Sequence, residues 1–159
     1  MKHILSWDVG YVNHGLALFE YDIKNIKLLK SKSIEYKEKN ESKKLYQIKT
    51  DFKRRLEKYK PDILVYENPV IKNGNVGFKL AKVLGIIIVE CYELEILLHP
   101  YSAAEVKKCI ANNGRCSKED IQTSVNKILK INKTYDKDHE SDAIAIGLTW
   151  YFKNVKNPC

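Results

Sequence analysis

The period of the apolar positions changes along the chain, and the changes mark out alternating strands and helices. His3 to Trp7 is a short apolar run that reads as a strand, Gly15 to Tyr21 reads as its partner, and Lys27 to Tyr36 alternates well enough to be a third. These three open a sheet as a meander. From about Glu41 to Lys60, Leu45, Ile48, Phe52, Leu56 and Tyr59 recur at helical spacing, while Lys43, Lys44, Lys49, Lys53, Arg54 and Lys58 fall mostly elsewhere around the helix. The pattern predicts an amphipathic basic helix whose lysines are mostly solvated. Pro61-Asp62 ends it, and Ile63 to Tyr66 is the continuous apolar run of a central parallel strand.

Phe78 to Cys91 is apolar almost all round, through Leu80, Ala81, Val83, Leu84, Ile86, Ile87, Ile88 and Val89, and its length favours a helix. Such a helix must be covered on both sides, one cover being the sheet and the other either a second subunit or more of the same chain. Gly85 permits close approach of another backbone. Ile96 to His99 reads as a fifth strand, and Ser102-Ala103-Ala104-Glu105 has the form of a capping box opening a short helix. A second helix starts near Ser117 and turns Ile121, Val125, Ile128 and Leu129 inward, after a polar connection holding Gly114 and Arg115. The last helix runs from about His139 to Phe152. The expectation is an α/β fold: one domain over residues 1–159, with a five-stranded mixed sheet, its first three strands antiparallel, flanked by helices.

Composition narrows the class of partner. The 159 residues carry 28 Lys plus Arg against 20 Asp plus Glu, a formal charge of +8, which favours a polyanion such as nucleic acid through counterion release. No stretch reaches the roughly 20 apolar residues of a membrane span. The chain enters its first strand with no charged and apolar leader, so a cytoplasmic setting is expected, in a bacterial cell or encoded by a phage. Cys91, Cys109, Cys116 and Cys159 form no C-x-x-C pair and are expected to be reduced thiols.

The candidate chemistry lies in three acids at the edges of apolar elements: Asp8 in I-L-S-W-D-V-G, Glu67 in D-I-L-V-Y-E-N and Asp142 in H-E-S-D-A-I-A-I-G. Glu67 follows a strand at its carboxyl end, where open α/β sheets place ligands. A carboxylate ending a buried strand or opening a buried helix carries a desolvation cost that a cation or substrate offsets. His139 and Asp142, three residues apart, share one face of the last helix and can reach a common ion. Hard oxygen ligands of this kind suit divalent metal ions that serve phosphodiester cleavage.

The collinear series resembles the RuvC family of Holliday junction resolvases. It comprises D-x-G after the first strand, an acid after the fourth, L-A-K-V-L-G-I-I-I, Y-S-A-A-E-V-K, S-K-E-D-I-Q and a final D-A-I-A-I. Resemblance implies a ribonuclease H-like fold, a homodimer, and Mg²⁺- or Mn²⁺-dependent nicking of four-way and other branched DNA to leave 5′-phosphates and 3′-hydroxyls. Carried across by position, the family's metal-binding acids fall on Asp8, Glu67 and Asp142. A fourth site, often Asp, falls on His139, which some members also carry; a neutral imidazole there brings no negative charge and favours manganese. Asp138 and Glu140 flank it as substitutes, though their helical directions differ from that of Asp142. The family's assisting lysines fall on Lys107 and Lys118, and DNA contacts are expected at Lys72, Asn73, Asn75, Lys79, Lys107, Arg115 and Lys118. In Asn68-Pro69-Val70-Ile71-Lys72 no aromatic stands where some members insert one at the junction centre. Competing readings are a junction-binding protein with an impaired metal site, a ribonuclease H acting on RNA-DNA hybrids, and an actin-like phosphotransferase, for which 159 residues are scarcely enough.

Overall fold

A computed structural model describes residues 1–69 and 74–156. Five strands, β1 (Lys2–Asp8), β2 (Asn13–Tyr21), β3 (Ile26–Glu35), β4 (Ile63–Glu67) and β5 (Leu97–Tyr101), form one sheet in the order β3-β2-β1-β4-β5. The first three pair antiparallel, and β4 and β5 add parallel to β1. The expected mixed sheet is therefore present, with strand ends within a few residues of those read from the apolar pattern.

The sheet separates two apolar layers. Leu5, Trp7, Leu16 and Leu18 meet Ile48, Phe52 and Leu56 of α1 (Glu41–Tyr59) and Val83, Leu84 and Ile87 of α2 (Asn75–Glu93). On the other face Ile4, Ala17, Phe19 and Val65 meet Val106 and Ile110 of α3 (Ala103–Ala111), Ile121 and Val125 of α4 (Lys118–Leu129), and Ala143 to Ile146 of α5 (Asp138–Tyr151). Ser102 and Ser117 cap α3 and α4 with reciprocal capping boxes, satisfying backbone amides that each helix start leaves open. The expected box at Ser102-Glu105 is one of them.

Two features settle points that the apolar pattern leaves open. The outer side of α2 is uncovered among the described residues, with Val76, Phe78, Ile88, Val89 and Tyr92 between 46% and 85% exposed. Helical period alone could not show this, because the residues are apolar all round. Among the α1 lysines, Lys44 is buried rather than solvated. Glu90 of α2 is fully buried, facing Lys49 at 3.4 Å and Lys53 at 3.7 Å across the α1–α2 seam. Cys91, Cys109 and Cys116 are free thiols, as expected, while Cys159 lies outside the described residues.

Candidate metal-dependent active site

Asp8 and Glu67 end β1 and β4, neighbouring parallel strands whose register pairs Trp7 with Tyr66, so both carboxylates leave the same end of the sheet. The opening turn of α5 is brought to them by close packing at Gly15. This glycine pairs with Asp8 in the β1–β2 ladder, and a Cβ on it would lie 1.6 Å from the His139 carbonyl oxygen. Only a residue without a side chain lets the helix come so near. Ser6 fastens the same approach, its hydroxyl donating to the Ala143 carbonyl at 2.6 Å and to the Ala17 carbonyl at 3.2 Å.

The result is a direct contact between residues 131 apart in sequence: His139 Nδ1 lies 2.7 Å from Asp8 Oδ2. That hydrogen bond and the Asp8 charge raise the His139 pKa above 6.5, against a smaller opposing effect of burial. Glu67 and Asp142 stand without hydrogen bond or ion pair among the described residues. Burial, then repulsion from Asp8 and Asp142, pushes Glu67 up to about 7, with Lys107 opposing. Burial, then repulsion from Asp8, pushes Asp142 up to about 6, with Lys118 and His139 opposing. Three carboxylates thus lie within mutual electrostatic reach, two of them without a direct ion pair among the described residues, which is the donor chemistry a divalent ion satisfies. No three of these groups stand close enough to ligate one ion as they are, among the described residues.

Both lysines read as assisting residues face this set. Lys107 Nζ donates to the Cys116 carbonyl at 3.1 Å, linking α3 to the connection before α4. Lys118 pairs with Asp138 at 2.6 Å, and Asp138 also accepts from Gln122 Nε2 at 3.3 Å. Asp138, weighed from sequence as a substitute ligand, is thus turned away to hold Lys118, and Glu140 is bound to Lys133 at 2.5 Å. Asn75 opens α2 with Lys79 one turn on, and Arg115 lies exposed on the α3–α4 connection. Lys72 and Asn73 lie outside the described residues. Gly15 and the Asp138–Lys118 pair escaped the sequence reading; a residue with no side chain opposite Asp8 in a hairpin register was the available signal.

A sheet of this order, with acids ending its two central parallel strands and an acid and histidine on the closing helix, defines the ribonuclease H-like class of fold. The family model for crossover junction endodeoxyribonuclease RuvC matches residues 4–150. The chain is 32% identical over 149 residues to the enzyme of that name from Prochlorococcus marinus strain MIT 9312, covering 92% of this chain and 94% of the relative. Thermus thermophilus RuvC superposes with a TM-score of 0.82 at 22% identity over 95% and 94% of the two chains. The same protein in complex with a Holliday junction substrate gives 0.82 at 21% over the same shares. The chain belongs to the RuvC family of crossover junction endodeoxyribonucleases, which are metal-dependent nucleases. No helix among the described residues is long and apolar enough to cross a membrane.

Proposed function

We propose that the chain binds four-way DNA junctions as a homodimer and makes paired metal-dependent nicks that leave 5′-phosphates and 3′-hydroxyls. The observation that carries this is the pair of half-buried carboxylates, Glu67 and Asp142, that are pushed up by burial and by repulsion within the acid set and have no direct ion pair among the described residues, in a RuvC family member. Asp8, Glu67, Asp142 and His139 would hold the divalent ions, Mg²⁺ by the hardness of the carboxylate oxygens and Mn²⁺ equally or better with an imidazole in the set. Bound ions of this kind supply an activated water and stabilise the departing oxygen. His139 is held in one orientation by Asp8. Lys107 and Lys118 place ammonium groups where charge develops on the phosphoryl group. Arg115, Asn75, Lys79, Lys72 and Asn73 extend the contact along the DNA.

Paired cuts need two sites related by two-fold symmetry, as the junction itself is. The open apolar face of α2, with Gly85 meeting nothing within 4 Å, is the surface offered to the second subunit. The test is cleavage of labelled four-way junctions beside duplex and RNA-DNA hybrid controls in Mg²⁺ and in Mn²⁺. Symmetric nicking of junctions by the wild type, and binding without nicking by Asp8→Asn, are the expected results. Cleavage confined to hybrids, or full metal-dependent activity in Asp8→Asn, would refute the assignment.

A further inference from the structure

Three residues after Asp8, in the turn between β1 and β2, Tyr11 places its ring between two lysines. Lys44 Nζ lies 4.6 Å and Lys79 Nζ 5.2 Å from the ring centroid. Lys44 falls near the start of α1 and Lys79 near the start of α2, and both helices begin at the end of the sheet where Asp8 and Glu67 emerge. Lys44 is only 7% exposed, yet its ammonium has no ion pair or hydrogen bond among the described residues. The stem of Lys44 is packed while its ammonium, against the Tyr11 ring, is not among the buried unpartnered atoms and stays free to take an anion. Lys79 is exposed and likewise without an ion pair among those residues. The neighbouring acid, Glu41, is already engaged, by Lys82 at 2.6 Å and by the Tyr11 hydroxyl at 3.4 Å. Two cations are thus left over, gathered by an aromatic ring at the starts of two helices, whose amides and dipoles favour negative charge.

We propose that Lys44, Lys79 and Tyr11 form a seat for one backbone phosphate of the bound DNA, on the α1–α2 side of the carboxylates and separate from Lys107 and Lys118. This rests on the chain's being a junction-binding nuclease. In a junction the seat would grip the strand away from the cut and fix its path across the sheet end.

The experiment measures affinity for a labelled four-way junction in Ca²⁺, without cleavage, across about 50–200 mM salt. Lys79→Met removes an exposed charge, Lys44→Met keeps the packed stem, and Lys58→Met, beside Tyr59 at the far end of α1, is the matched control. Each seat lysine should reduce the slope of log K against log salt by about 0.9, the double variant by about twice that, and Lys58→Met by much less. An unchanged slope in Lys79→Met, or a Lys44→Met protein that loses thermal stability but keeps its slope, overturns the seat. A wild type that binds no junction overturns the functional reading and the seat together; wild-type binding with unaltered variants overturns the seat alone.

Discussion

Glu67→Gln should stabilise the metal-free protein at alkaline pH while weakening its response to metal. The Glu67 carboxyl is held at about 7 against an ordinary 4.5, because its charge is half-buried and faces Asp8 and Asp142. A gap of roughly 2.5 pH units at about 1.4 kcal/mol each corresponds to about 3.4 kcal/mol, and solvent screening of a partly exposed group halves this to about 1.7 kcal/mol. The sign follows from proton binding. Between 4.5 and about 7 the folded state holds more protons than the unfolded one, so stability falls as pH rises through that window and the loss is complete above it. Glutamine copies the neutral acid at every pH and makes no demand for a cation.

Thermal melts in chelator should therefore show Glu67→Gln level with wild type at about pH 4 and ahead of it by about 3–7 °C at pH 8, using roughly 2–4 °C per kcal/mol for a domain of this size. Added Mg²⁺ or Mn²⁺ should raise the wild-type midpoint at pH 8 by relieving the same repulsion, and raise the variant's much less. Equal midpoints at pH 8, or a gain that is the same at both pH values, would refute the account of an acid cluster strained for want of a cation.

Three further outcomes follow from the same contacts. Asp138→Asn releases Lys118 and should slow single-turnover cleavage about tenfold, the equivalent of about 1.4 kcal/mol; in a Lys118→Ala background it should have no effect, and an undiminished effect there would exclude action through Lys118. His139→Asp restores a fourth negative charge and should lower the Mg²⁺ concentration for half-maximal cleavage several-fold while narrowing the advantage of Mn²⁺, read from metal titrations of the nicking rate. In metal-free melts, the His139 pKa raised by Asp8 makes their contact stabilising, fully so below 6.5 and lost as pH climbs through the raised value, so His139→Asn should lag wild type in acid and draw level in alkali.

What was legible in the sequence depended on whether the signal was local. The strands and α1 announced themselves by their period, and the cap at Ser102 by short-range side-chain chemistry, because each arises within one turn or one ladder. The acids were legible for a different reason: a carboxylate at the end of an apolar run is costly wherever it falls, so its position alone signals a use. Gly15 was silent, since the reason for it is the backbone of a helix that begins more than a hundred residues later. The role of Asp138 was hidden in the same way. Its helical direction already set it apart from Asp142, but nothing local named Lys118 on α4 as the group it meets. Helical spacing sorted the α1 lysines by angle but not by what stood opposite. Lys44 looked like its solvated neighbours until Tyr11, delivered by the β1–β2 turn, occupied the space beside it. In each case the missing information was the identity of a distant partner. The site is built almost wholly from such partners: one carboxylate from each of two strands, an imidazole and an acid from the last helix, and lysines from two more. That the acids could be read in order along the chain, while what aligns them could not, reflects this division between the residues proposed to meet substrate and those that close the distance between elements.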